Sequence, residues 1–192
     1  HARDSGALQA MNQGVVVTKP AVLALEDGYR ESTESWTTLL RDLKHRGLSA
    51  PKLAVADGAL GFWTALRDIY PETDVQRCWV HKIDNVLDKL PKRVQPRAKD
   101  MLHEIMRAPD RHSAVEDIER FSQEFQTKYP KAVETLTKDQ DQLLTFFDFP
   151  AEHWPHLRTT NPIESPFATV KARTKKTKGA GSRNAGLAMA FK

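Results

Sequence analysis

The chain has 192 residues, 40% of them apolar and 28% charged, which fits one ordinary globular domain or one domain carrying a large insertion. No apolar run approaches the roughly 20 residues that span a bilayer, and nothing near the start reads as a signal peptide, so a membrane-spanning helix and a secreted scaffold are not expected. The single cysteine, Cys78, excludes an internal disulfide framework and fits a reducing cytoplasm, and the formal net charge of +4 is unevenly spread.

Residues 1–12 show no periodicity and read as coil. Val15-Val-Val-Thr18 and Ala21-Val-Leu-Ala-Leu25 are β-type runs around Pro20, followed by a turn at Glu26-Asp-Gly28. Ser32 can cap a helix whose apolar residues Trp36, Leu39, Leu40 and Leu43 keep helical spacing, with Gly47 as its stop. Leu53 to Ala56 is a short apolar run, long enough for one buried strand; it ends at Asp57, and Gly58 breaks it. Phe62, Leu66, Ile69 and Tyr70 then fall on one face of a helix that Pro71 ends, and Val75-Gln-Arg-Cys-Trp79 reads as a further strand. The order β-β-α-β-α-β predicts a mixed or parallel sheet covered by helices.

From Val80 the texture changes. Ile83, Val86, Leu87 and Leu90 mark a helix closed by Pro91. Pro96 opens a second with Leu102, Ile105 and Met106 inward, Val115, Ile118 and Phe125 mark a third, and Pro130 opens a fourth running toward Phe147. No strand signal occurs up to Trp154, so this block reads as an all-helical insertion beside the sheet.

Two acids stand out. Asp57 sits at the carboxyl end of a strand, where open α/β sheets place their ligands, and a carboxylate there is a natural oxygen donor for Mg²⁺. The plainer reading makes it the N-cap of the following helix. In Arg158-Thr-Thr-Asn-Pro-Ile-Glu-Ser165, Asn161 is a good N-cap, Pro162 suits the first helical position and Glu164 falls at N3, so Glu164 either closes a capping box or offers a fixed carboxylate to a metal. Lys171 lies two turns further along the same face. After Ser165 there is no acid, while Lys171, Arg173, Lys175, Lys176, Lys178, Arg183 and Lys192 give seven positive charges; residues 1–164 hold 22 basic groups against 25 acidic ones. A near-neutral body with a basic end points to a polyanion such as nucleic acid; a solvated basic tail is the alternative.

Leu25-Glu-Asp-Gly-Tyr-Arg-Glu-Ser-Thr-Glu-Ser-Trp36, Leu53-Ala-Val-Ala-Asp-Gly-Ala-Leu-Gly-Phe-Trp63, Arg77-Cys-Trp-Val-His-Lys82 and Arg158-Thr-Thr-Asn-Pro-Ile-Glu-Ser165 together resemble the Mutator-type transposases of bacterial insertion sequences. The resemblance runs from about Ala24 to Lys192. It implies an α/β, ribonuclease-H-like mixed sheet flanked by helices, with a helical insertion before the last catalytic helix. It also implies an Asp-Asp-Glu triad and a Cys-x-x-His signature. Position by position, Asp57 matches the second acid, Cys78 and His81 the signature, and Glu164 the third acid. The expected division is an unmatched segment 1–22, the first part of the core 23–82, the insertion 83–155, and 156–192 with the third acid and the basic segment. The family's first Asp has no match in residues 1–22, where Asp4 stands in surroundings unlike a strand.

The implied chemistry is DNA cleavage and strand transfer with Mg²⁺, or Mn²⁺ in its place, held by Asp57 and Glu164. His81 would orient a phosphate or a carboxylate. The implied partners are terminal inverted repeats and target DNA, gripped by Lys171, Arg173, Lys175, Lys176, Lys178 and Arg183, together with a second copy of the chain. The implied setting is the bacterial cytoplasm at the nucleoid, with no membrane. With the first acid unmatched, the chain reads as an internal piece of such a protein with little or no activity; an inactive DNA-binding or oligomerisation remnant is the alternative, and a metal-dependent nuclease of the same fold a third. Cys78 and His81 with His153 and His156 also make four candidate zinc donors, but without the spacing of a finger. Trp36, Trp63, Trp79 and Trp154 are core candidates, with Trp154 alternatively a platform for an unpaired base.

Overall fold

The computed structural model describes residues 32–160. The two early β-type runs, the turn at Glu26, the Asn161 cap with Glu164, and the basic residues from Lys171 onward lie outside the described residues. The described part is mixed α/β and mostly helical. It comprises α1 (Thr33–His45), β1 (Leu53–Ala56), α2 (Leu60–Ile69), β2 (Asp74–Arg77), α3 (Trp79–Leu87), α4 (Gln95–Arg107), α5 (Arg111–Phe125), α6 (Pro130–Thr137), α7 (Gln140–Leu144) and α8 (Trp154–Leu157), with two short 3₁₀ turns before α8. β1 and β2 form a two-stranded sheet. Asp74 donates its N–H to the Lys52 carbonyl and Cys78 to that of Ala56, a constant register that makes the pair parallel. No helix among the described residues is long and apolar enough to cross a membrane.

The chain divides into two compact units. In the first, Ser32 caps α1 as its residue type predicts, accepting the Ser35 N–H at 3.2 Å. After α1 the chain turns at Gly47, whose φ of 99° favours glycine. Leu40 and Leu43 of α1 and Trp63, Leu66 and Ile69 of α2 are buried. The Trp36 and Phe62 rings meet edge to face at 5.0 Å, and Tyr70 donates its hydroxyl to the Leu48 carbonyl at 2.8 Å.

The second unit comprises Val55–Asp57 and Val75–Thr160. Its core is the apolar faces of α3 to α7: Trp79, Val86, Leu102, Ile105, Phe121, Leu136 and Phe146 are among its fully buried side chains. Asp110 caps α5, accepting the Ser113 N–H at 2.8 Å.

Three expectations are corrected. β1 is half-buried at every position rather than buried, because β2 is its one strand partner among the described residues. The strand expected over Val75–Trp79 stops at Arg77: Cys78 becomes the N-cap of α3, and Lys82 N–H bonds the Cys78 carbonyl in the first helical turn. The single helix expected from Pro130 toward Phe147 breaks after Thr137. At the break, Lys82 Nζ takes the Thr135 carbonyl at 2.7 Å and the Asp139 carboxylate at 2.5 Å. A side chain from α3 thus satisfies the carbonyl that the next helical turn would have used.

Candidate functional site

Asp57 leaves the carboxyl end of β1, half-buried, and Gly58 with φ of 101° turns the chain away from it. The N-cap of α2 is Ala59, so Asp57 is not the cap that the plainer reading made it. Its place is set by the sheet. Cys78, immediately after β2, donates its N–H to the Ala56 carbonyl at 2.8 Å, which brings the two strand ends level. Asp57 and Cys78 therefore stand at the same, carboxyl edge of a parallel pair, where ligand sites of such sheets form.

Cys78 is fully buried and its sulfur is a hydrogen-bond hub. His81 Nδ1 lies at 3.3 Å, and Thr160 reaches the sulfur with both its backbone N–H and its hydroxyl, each at 3.3 Å. Burial alone would raise the thiol pKa. The backbone N–H of His81 at the third helical position, the Thr160 hydroxyl, the His81 ring and the Thr160 N–H outweigh it, and the pKa lies below its ordinary value. Cys78 is the N-cap residue of α3, so its sulfur lies near the positive end of that helix's dipole.

The same edge captures the segment that follows α8. Trp79 N–H donates to the Arg158 carbonyl at 2.9 Å. Arg158 reaches back to the Met106 carbonyl at 2.6 Å, with its guanidinium 5.6 Å from the centre of the Phe146 ring. Burial, then the charge of Arg107, lowers its pKa. Thus Arg158 to Thr160 is fixed against the start of α3.

Beneath this edge lies a polar layer not anticipated from the sequence. Gln76 of β2 is fully buried with its amide engaged: Nε2 donates to the Arg77 and Leu143 carbonyls, and Oε1 accepts the Phe146 N–H at 2.8 Å. Trp79 Nε1 also donates to the Leu143 carbonyl, at 2.9 Å. Lys82 is fully buried beside Asp139. Arg77 Nε lies 3.5 Å from Asp139 Oδ2, close enough for attraction but without hydrogen-bond geometry. Burial lowers the Lys82 pKa, and Asp139 opposes that shift. The signal in the sequence was the spacing: Trp79, Lys82, Ile83 and Val86 form one buried stripe, and a lysine on such a stripe requires an acid opposite it.

Among the described residues, no three His, Cys, Asp or Glu side chains come together as a metal site, so Cys78, His81, His153 and His156 do not form the zinc cluster considered as an alternative. Trp36 is half-buried against Phe62, and Trp63 and Trp79 are buried. Trp154 packs edge-on against Phe146 and Phe147 and donates to the Phe149 carbonyl at 2.7 Å, half-buried against the core cluster.

The family model described as "Transposase, Mutator family" matches residues 15–183. The chain belongs to the Mutator family of transposases. It is 58% identical over 171 residues to the transposase for insertion sequence element IS6120 of Mycolicibacterium smegmatis, covering 89% of this chain and 53% of that protein. The transposase for IST2 of Acidithiobacillus ferrooxidans is 54% identical over 175 residues, covering 91% and 59%. The transposase for IS905 of Lactococcus lactis is 35% identical over 156 residues, covering 81% and 40%. The chain therefore spans about half the length of these curated relatives. Within this Mutator-family chain Asp57, Cys78 and His81 share one unit with Thr160, while Glu164, Lys171, Arg173, Lys175, Lys176, Lys178 and Arg183 lie outside the described residues.

Proposed function

We propose that this chain carries the cleavage and joining centre of an insertion-sequence transposase, built on a ribonuclease-H-like core, and that Asp57 and Glu164 are its second and third acids. One observation carries the proposal: Thr160 is held on Cys78, whose own N–H is bonded to the carbonyl preceding Asp57. Glu164 follows Thr160 by four residues in the chain. The β1–α2–β2 order, with an acid after the first strand, supports the core assignment.

The donor chemistry at Asp57 fits a hard cation. Asp57 stands two residues before the Ala59 N-cap of α2, at the carboxyl end of a parallel strand pair, and its carboxylate is a hard oxygen donor. Held by Asp57 and Glu164, Mg²⁺ or Mn²⁺ would supply Lewis-acid activation of an attacking oxygen and neutralise charge on a leaving one. His81, its ring anchored through Nδ1 on the Cys78 sulfur, is an oriented imidazole at the same edge, suited to positioning a phosphate. Lys171, Arg173, Lys175, Lys176, Lys178 and Arg183 supply phosphate contacts to terminal-repeat and target DNA. The protein acts as a homo-oligomer on the bacterial chromosome, in the cytoplasm.

The test is a Mn²⁺ titration of the 192-residue chain followed by electron paramagnetic resonance. Asp57→Asn and Glu164→Gln should each weaken binding by at least tenfold. Affinity unchanged in both variants would overturn the assignment. A strand-transfer assay with terminal-repeat DNA and Mg²⁺ tests the reaction itself; DNA binding without Mg²⁺-dependent cleavage would place the chain with inactive remnants.

A further inference from the structure

Residues 89–99 hold Lys89, Lys92, Arg93, Arg97 and Lys99 and no acid, and all five are exposed. Residues 110–152 have the opposite bias, ten acids against five basic residues. Charge in the helical unit is therefore segregated, although the unit as a whole is nearly balanced. The fold makes a surface of this. Ala98, Met101, Leu102 and Ile105 turn one face of α4 into the core. Gln95, Lys99, His103 and Arg107 follow one another at four-residue spacing and form a ridge apart from that buried face. The ridge is about 18 Å long, the rise of twelve helical residues. At its start, Lys92, Gln95, Lys99 and His103 line an open groove of about 480 Å³ in which Asp100 is the one carboxylate.

We propose that this basic ridge and groove, centred on Lys92, Lys99 and Arg107, form a second contact for the phosphate backbone of duplex DNA, separate from the basic segment after Lys171. The inference rests on the DNA-acting role proposed above and adds a surface to it. An intramolecular role for these cations has little support. Arg97 is paired with Glu124, but Lys89, Lys92, Arg93, Lys99 and Arg107 make no ion pair among the described residues. Four of the unit's acids are engaged elsewhere: Asp139 with Lys82, Asp148 with Arg111, Asp117 with Arg120, and Glu116 with His112. Lys92, Lys99 and Arg107 are thus exposed and without an ion-pair partner among the described residues, with Asp100 and Glu104 the exposed acids on the same helix. At His103, burial first, then Arg107 and Lys99, lower the pKa, and Asp100 opposes them. Successive ridge residues rise by about 6 Å, and a DNA strand presents a charge at about every 3.4 Å of its axis, so each cation on the ridge has an anion within reach.

The experiment is fluorescence anisotropy of the 192-residue chain with a short random duplex across a salt series. Each phosphate contact contributes about 0.9 to the slope of log K against log salt. Lys92→Ala/Lys99→Ala should flatten that slope by about 1.8 and weaken binding about tenfold near 0.1 M salt. Lys175→Ala/Lys176→Ala should add to that effect, and Arg97→Ala, which removes a cation already paired, should change little. Circular dichroism and the urea midpoint check that the variants fold. Unchanged slope and affinity in Lys92→Ala/Lys99→Ala overturn the proposal. So does a shift in oligomeric state with DNA affinity intact, which would assign the face to the acidic surface of a second copy. Mn²⁺ binding at Asp57 is independent of these lysines, so a failure here leaves the metal assignment standing. A chain that binds no duplex at all ends both DNA readings.

Discussion

The Cys78 sulfur accepts the backbone N–H of Thr160 at 3.3 Å, across 82 positions of the chain. A residue that sequence alone assigns to a strand is the point at which the end of the helical unit is fastened to the strand edge bearing Asp57. In this chain Cys78 is the N-cap residue of α3 and an anchor for Thr160, and His81 Nδ1 lies 3.3 Å from its sulfur.

Cys78→Ala should therefore cost stability by leaving the Thr160 N–H without its acceptor, a penalty of about 1–3 kcal/mol. Cys78→Ser, which keeps an acceptor, should cost less. The loss should depend on pH with a definite sign. The folded thiol has a pKa below that of an unperturbed thiol, so the folded state favours the thiolate more than the unfolded chain does. That stabilisation is complete above the unfolded value and is lost as pH falls through the folded one. Urea midpoints of wild type and Cys78→Ala should diverge as pH rises toward and past 9.0. A constant difference would show that the sulfur does not change its charge there.

Lys82 and Asp139 form a buried charge pair, and such pairs respond asymmetrically to mutation. Asp139→Ala should destabilise by about 3–5 kcal/mol because it strands the ammonium of a fully buried lysine. Lys82→Met combined with Asp139→Leu should recover most of that loss. Denaturant unfolding of the three variants checks this. Equal losses in the single and double variants would mean that the pair is not what seats α3 against the break after α6.

Trp154 distinguishes packing from base stacking. Its ring contacts with Phe146 and Phe147 and its bond to the Phe149 carbonyl predict a stability loss of about 2–4 kcal/mol for Trp154→Ala, with single-stranded DNA affinity unchanged. A stacking role predicts the reverse: little loss of stability, and binding weakened by about 1–3 kcal/mol per base. Thermal melts and anisotropy on the same variant separate the two.

Ala59 is a poor N-cap for α2, with no side-chain acceptor to offer. Its extended ψ of 117° suits a capping residue, so Ala59→Ser should stabilise by about 0.5–1 kcal/mol. The urea midpoint measures it. No gain would show that the α2 N-terminus is already satisfied by other groups.

By itself the sequence determined the local events. The cap at Ser32, the stop at Gly47, the strand ending at Asp57, the helix closed at Tyr70 and the helices from α3 to α6 all follow from spacing and residue type, because each depends on neighbours within a turn or two. The family motifs, also local strings, were enough to point to the family of the chain. Tertiary structure decided what those strings could not encode. Val75 to Trp79 has the β-rich composition of a strand, yet it stops at Arg77 because the Trp79 N–H has the distant Arg158 carbonyl as partner. The helix expected from Pro130 breaks because Lys82, more than fifty residues earlier, takes its carbonyl and its acid. Asp57 was legible as an acid at a strand end, but that it is no cap, and that it stands level with Cys78, depended on Ala56 meeting Cys78 across the sheet. A buried backbone or charged group must find a partner wherever the fold supplies one, and that partner is written far from it in the chain.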